Sequence, residues 1–558
     1  MATGHRKLLE QLQADGVQYI FGNPGSSEEG LLDEISRFDG IKYIQGLQEA
    51  ALILLANGYA LATKKPTVVQ LHCSVGLGNA LGSFYHVFRK QRSPLVVIAG
   101  EAGVAYDPLE AHMWLDLAGF ARPVTKYAAR AVHPGSVLRL LRRCIKVAAT
   151  PPFGPTFLCV PQDILDQANA EVVVPTVIPN TRVAPEQGVI DSAAQLLAGA
   201  ESPVVLVGDG VAHAGAQAEV ARLAEVLGAG VWGAMSSEIN LPWTHPLYRG
   251  LTGHMFGSAS RKTVQDADAV VICGTYVFPD VFPLLESPFK DGAKVIHIDL
   301  DAYAIAKNHQ VTLGLVSDSK LTLSALTQAL EKIMTGPQQA AAAARAERIT
   351  AATKQAQAAQ IAADGALRDK MPLHMSVFAE ELAKQLPAEA ILFDESLTHT
   401  PELTRHLVPN VPGNFFQTPG GTLGVGLPGA IGVKLARPNQ TVIGFTGDGG
   451  ALYTFPALWT AAHHGIGAKF VVCNNRSYRL LKENLVVYRQ EHASNQADFP
   501  PSFDIHNPFV NYVSMANGLG VPGMRVSAPN QVESAISTML ANDGPFLLEL
   551  MLEDAVPS

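Results

Sequence analysis

The chain has 558 residues, of which 47% are hydrophobic and 16% charged, with a net charge of −9. At about 150–200 residues per domain this predicts roughly three domains with ample apolar material for their cores. No basic cluster is available to meet a nucleic-acid backbone, and no apolar run approaches the ~18–20 residues of a membrane span.

Five scattered cysteines (Cys73, Cys144, Cys159, Cys273, Cys473) lack CxxC or His/Cys ligand spacing, which predicts reduced, zinc-free chemistry. The opening MATGHRKLLEQLQADG has no apolar signal-peptide core and reads as the start of an amphipathic helix, so a cytoplasmic protein is expected.

In the first block, residues 1–180, short apolar runs at 67–72 (TVVQLH) and 95–100 (LVVIAG) have the form of buried strands and alternate with helical patterns. That alternation predicts a parallel sheet covered by helices. The proline-bearing stretch 174–185 reads as a linker. A second α/β block, 185–340, has strands at 204–207, 269–273 and 295–299. Gly208-Asp209-Gly210 follows the first of these but lacks GxGxxG, so it is read as a tight turn in a structural domain, and a nicotinamide dehydrogenase is disfavoured. Residues 338–363, dominated by Ala and Gln, predict a solvent-facing helix. The third block, 365–558, has strands at 391–393, 441–445, 470–473 and 546–551. The predicted fold is α/β: three doubly wound parallel-sheet domains.

In parallel sheets the chemistry gathers in the loops that follow the strands. Strand 441–445 runs into Gly447-Asp448-Gly449-Gly450, and strand 470–473 delivers Asn474-Asn475. Glycines let a diphosphate approach backbone N–H groups, and a helix starting there adds favourable partial charge. Mg²⁺ takes hard oxygen ligands, which Asp448, Asn475 and the Ser477 carbonyl supply alongside phosphate oxygens. A lone GDG is usually a turn. Two such members at this spacing, each after an apolar strand, are far more specific.

GDGG–(x)₂₃–NN resembles the thiamine diphosphate signature. The chain around it is similar to the benzoylformate decarboxylase and acetolactate synthase-like group, in FGNPGSSEE (21–29), LQEAALILLANGYALATKKP (47–66) and GGTLGVGLPGAIG (420–432). The resemblance implies pyrimidine-binding, middle and diphosphate-binding domains in that order. It implies that Glu49, opening an apolar helix and so expected to be buried, hydrogen-bonds the cofactor's pyrimidine, burial favouring a neutral carboxylic acid. It also implies that the Gly421 carbonyl accepts from the cofactor's amino group, that Leu423 wedges between its rings, and that Leu397, Thr398, Gly450 and Tyr478 lie at the diphosphate. Leu397, standing where benzoylformate decarboxylase has a hydroxyl residue, offers only its backbone. Active sites of this group form between subunits, which implies a homodimer at minimum and commonly a homotetramer.

Asn23, Pro24, Gly25 and Ser26 resemble the group's cofactor and substrate loop. His72, ending its strand, matches one active-site histidine, with an unperturbed pKa suited to proton transfer. The decarboxylase's second histidine has no counterpart in 275–283 (TYVFPDVFP). His112 is a candidate replacement. Leu480, Leu481 and Asn484 are expected to line the acceptor side of the pocket; Phe278 and Phe282 either close it or belong to the core. The activity implied is decarboxylation of a 2-oxo acid, with carboligation to an aldehyde or second oxo acid. The alternative is an acetolactate synthase-like or benzaldehyde lyase-like carboligase.

Overall fold

A computed structural model describes residues 2–234, 236–492, 496 and 498–556. The chain builds three six-stranded sheets in which every named strand pair is parallel. They begin at Tyr19–Gly22, Pro203–Val207 and Ile391–Glu395. Numbered within each domain, the first and third sheets share the strand order 2-1-3-4-6-5, and the middle one has 6-5-4-1-2-3. Both orders reverse beside the domain's first strand, opening a crevice at the carboxyl ends of the strands that flank the reversal. Interior strands such as Leu95–Glu101, Ala269–Cys273 and Lys469–Asn474 are buried throughout, as parallel strands covered on both faces must be.

The 30-residue helix Gly336–Gly365 buries only Ala342 and Asp364, as its Ala- and Gln-rich composition predicts. Most of the expected strands differ by one or two residues at one end or both, and one such end bears on the site. The strand before His72 stops at Leu71, and His72 instead stands as the N-cap of helix Cys73–Arg89.

Helix Glu49–Thr63 buries thirteen of its fifteen residues, so it has no solvent face. It packs beneath its own sheet and against helix Gly426–Ala436 of the third domain, the two sharing one hydrophobic core. Glycines set this contact. A Cβ on Gly58 would run into the Gly429 carbonyl, and one on Gly432 into the Leu55 carbonyl. Because 58 pairs with 429 and 55 with 432, the two helices run antiparallel. Gly432→Ala is therefore expected to cost about 1–3 kcal/mol through overpacking against backbone that cannot yield. A denaturation midpoint unchanged from the parent would contradict this packing.

Candidate active site

In the first domain the sheet order reverses between strands Tyr19–Gly22 and Thr67–Leu71, and the loops after both carry the expected residues. Glu49 is buried at the first position of its helix. Asn23 Nδ2 donates to its Oε1 at 2.9 Å, and Asn79 Nδ2 to its Oε2 at 3.1 Å. Asn79 carries no signal in the sequence beyond its place on the helix after His72.

The His72 side chain lies against the loop that carries Gly25, where a Cβ would collide with its Nδ1, Cγ and Cβ atoms. Its Nδ1 is 2.9 Å from Glu28 Oε2. Glu28 is itself buried and accepts from the Gly100 N–H at 2.9 Å and the Ser27 hydroxyl at 2.7 Å. A carboxylate so placed makes Nδ1 the donor and Nε2 the acceptor nitrogen of a neutral ring. Ser27, not Ser26, touches His72, at 3.3 Å, and also Cys73 Sγ at 2.8 Å. Ser26 and Pro24 are exposed on this chain. His112, also exposed, lines a small recess with Cys73 and Glu101, and Ser74 Oγ donates to the adjacent Met113 carbonyl at 3.0 Å. The structure thus brings the 112 segment to the start of the helix that His72 caps.

In the third domain, strands Ile391–Glu395, Val442–Gly447 and Lys469–Asn474 are neighbours, so the loops after them converge. Asp448 is buried. Its carboxylate accepts from the N–H groups of Gly449 (2.8 Å), Arg476 (2.5 Å) and Ser477 (3.2 Å), binding the GDG turn to the loop of Asn475. A Cβ on Gly449 would strike the Tyr478 ring, and one on Gly450 would press on Thr446 Oγ1 and Glu395. Asn475 Oδ1 accepts from Ser477 N at 3.1 Å. Leu397 adopts φ +52, a left-handed conformation costly for leucine, and Thr398 is half-buried beside it. Asp394 stabilises that turn by accepting from the Ser396 N–H and hydroxyl (2.8 and 2.6 Å) and the Thr400 hydroxyl (2.5 Å).

Burial raises the Asp448 carboxyl to about 6. A divalent cation is the natural countercharge. The oxygens of Asp448 and Asn475, with a backbone carbonyl such as that of Ser477, are hard donors that suit Mg²⁺, and the glycine-lined approach suits a diphosphate. The residues fit the group.

The loop carrying Gly421 and Leu423 is held from below by Glu395, which no motif announces. Its buried carboxylate accepts from Gly424 N (2.6 Å), Gly426 N (2.7 Å) and Thr446 Oγ1 (3.1 Å). Glu395→Gln would set an NH₂ group against one of those N–H donors. The expected loss is about 1–3 kcal/mol. Equal thermal midpoints for the variant and the parent would exclude this anchoring role.

Leu480, Leu481 and Asn484 lie on helix Arg479–Glu491, and Asn484 Nδ2 is buried without a partner among the described residues. Phe278 does not close a pocket. It belongs to the middle-domain core with Leu206, Val264 and Val270, the second of its two expected readings. Phe282 is exposed and stacks on Phe256 at 5.6 Å between centroids. In the turn Gly208-Asp209-Gly210, Gly208 caps helix Asp209–Ala214, and Asp209 and Gly210 border a cleft at the middle sheet's reversal point with Gly274, Thr275 and Lys90. Asp209 there accepts from Ser237 N and Glu238 N.

The two halves stand apart within one chain. By the helix register above, Leu61 is level with Gly426, so Glu49 lies twelve residues away, about 18 Å at 1.5 Å per residue, from the end that carries Gly421 and Leu423.

Fold and site together define a three-domain α/β protein whose third domain gathers Asp448, Asn475 and glycine-lined loops at the ends of neighbouring strands and whose first domain buries a glutamate. Family models agree. Residues 2–119 match the N-terminal thiamine pyrophosphate (diphosphate) binding domain of thiamine pyrophosphate enzymes, 190–326 the central domain and 398–550 the C-terminal binding domain. The chain belongs to the thiamine pyrophosphate enzyme family. It is 28% identical to a benzoylformate decarboxylase of Pseudomonas aeruginosa over 571 residues, covering 100% of both chains. It is 27% identical to acetolactate synthase isozyme 2 large subunit of Escherichia coli, covering 99% of this chain and 96% of that one. Among solved structures it superposes with TM-score 0.83 on a 4-hydroxybenzoylformate decarboxylase from Rhodococcus jostii, at 26% identity and 99% coverage of each.

Proposed function

We propose that the protein catalyses non-oxidative decarboxylation of a 2-oxo acid with thiamine diphosphate and Mg²⁺, a carbon–carbon lyase with carboligase activity. The observation that carries this reading is His72, held by Glu28 at Nδ1 against the Gly25 backbone, on the same side of the helix start near Gly76 as Glu49.

When bound, the cofactor accepts the electron pair released as CO₂ leaves. Asp448, Asn475 and the Ser477 carbonyl would hold Mg²⁺. The N–H groups around Leu397, Thr398, Gly447, Gly449, Gly450 and Tyr478 would meet the diphosphate. The Gly421 carbonyl, Leu423 and Glu49 would orient the pyrimidine, with Asn23 fixing Glu49. Ser26 and His72 would receive the substrate's carboxylate and carbonyl oxygen, and His112 would border the same space. Leu480, Leu481 and Asn484 would face the substrate's side chain.

Glu49 and the Gly421 carbonyl serve one ring in this reading, yet stand about 18 Å apart along the helix pair. That separation favours a homodimer at minimum, with each site built from two copies, and a homotetramer as the larger assembly. No helix among the described residues is long and apolar enough to cross a membrane, and a cytoplasmic location accords with the five free, buried cysteines.

The alternative, an acetolactate synthase-like or benzaldehyde lyase-like carboligase, draws support from the unpaired Asn484 amide on the acceptor side. Incubating the Mg²⁺- and thiamine diphosphate-loaded protein with a panel of 2-oxo acids, aromatic ones first, separates the two. Release of CO₂ with free aldehyde supports decarboxylation; 2-hydroxy ketones without free aldehyde would overturn it.

A further inference from the structure

We propose that His254, from the middle domain of the same chain that carries the diphosphate cradle, is a proton-carrying side chain of the reaction pocket. The inference rests on the preceding functional reading and adds to it a residue outside both flanking domains.

Its position carries the argument. The His254 ring lies directly against Gly420, where a Cβ would run into its Cε1 and Nε2 atoms, and Gly420 adjoins Gly421 in the loop assigned to the pyrimidine. Both glycines have positive φ, +84° and +102°, so the loop bends around the ring in a form only glycine adopts easily. His254 is not a loop residue that merely drifts there. Its carbonyl accepts from Val281 N at 3.0 Å, Phe282 N donates to the Met255 carbonyl at 2.8 Å, and Phe256 stacks on Phe282. These contacts join two middle-domain segments into a short flap. Ser258 Oγ then reaches Glu491 Oε1 at 3.4 Å, linking that flap to the helix of Leu480 and Asn484.

The charged groups around the ring are Lys90, whose side chain lies on Gly421, then Asp280 and Lys307 near Lys90. Burial and Lys90 hold the imidazole below its usual pKa. Neither ring nitrogen has a hydrogen-bond partner among the described residues, while the residue as a whole remains open to solvent.

The chemistry needs one proton. Decarboxylation replaces the bond to CO₂ with a C–H bond at the former carbonyl carbon; an imidazolium N–H supplies that proton, and the neutral ring regains its own from water. His72 and His254 thus stand on different domains, one on the Glu49 half and one on the Gly421 half.

The test uses the full-length protein with Mg²⁺, thiamine diphosphate and the methyl ester of benzoylphosphonate as an inert 2-oxo acid mimic. Carbethoxylation by diethyl pyrocarbonate, read by peptide mass spectrometry, should slow several-fold at His254 when the mimic is added and stay unchanged at exposed His133. His254→Gln and the shape-keeping His254→Phe should both keep cofactor affinity within about twofold and lose about 100-fold in aldehyde release. Unchanged modification of His254, full activity in His254→Phe, or loss of cofactor binding in both variants would overturn the proposal. If the parent protein converts no 2-oxo acid, the functional reading fails separately, and the footprint still decides whether His254 faces the ligand.

Discussion

Glu49→Gln is expected to bind thiamine diphosphate nearly as the parent does and to lose about 10³-fold or more in turnover, near the upper range for removing an essential acid–base group. The variant should fold. Asn23 and Asn79 donate to the two Glu49 oxygens, and either asparagine amide turns over to present its oxygen to the new NH₂. What Gln cannot do is share a proton with the cofactor's pyrimidine nitrogen as a carboxyl group does. Calorimetric titration with the cofactor, beside steady-state assay of the panel's best substrate, separates the two quantities. Turnover within tenfold of the parent would remove Glu49 from the mechanism.

Asp448→Asn is expected to act on the opposite half. The carboxylate has two duties: accepting from three backbone N–H groups and, in the functional reading, facing the cation. Asn keeps one acceptor oxygen but turns NH₂ toward an N–H donor and removes the charge. Cofactor affinity should fall about 100-fold or more, beyond what disturbing a residue behind the ligands costs. Chelating Mg²⁺ from the parent with EDTA should release the cofactor, and returning Mg²⁺ should restore it. Undiminished affinity in Asp448→Asn, or retention of cofactor in EDTA, would contradict the assignment.

How much of this could be read from the sequence varies with the physics of each element. Interior strands such as Ala269–Cys273 and Phe546–Met551 announce themselves because they are covered and almost wholly apolar, Glu549 being the one charged residue of the two. Edge strands such as Lys42–Gln45, Tyr127–Arg130 and Gly523–Val526 are half exposed and carry charge or polar groups, so no apolar run marks them. Asp448 and Asn475 are legible as candidates because a diphosphate and a cation would demand particular residue types at a fixed spacing. Glu28, Glu395 and Asn79 are not, because they act on neighbours brought near only by folding: Glu28 on His72, Glu395 on Gly424 and Gly426, Asn79 on Glu49. His254 belongs with them. Residues 275–283 hold no histidine, yet a different turn of the middle domain sets one on Gly420.

The central claim is that each cofactor site joins Glu49 of one copy to Asp448 of another. Co-expressing Glu49→Gln and Asp448→Asn chains tests it most directly, since a mixed dimer regains one intact site from its two unmutated halves. Random pairing should then give about a quarter of the parent's activity, although each variant alone is nearly inactive. A mixture no more active than the separate variants would contradict the shared site.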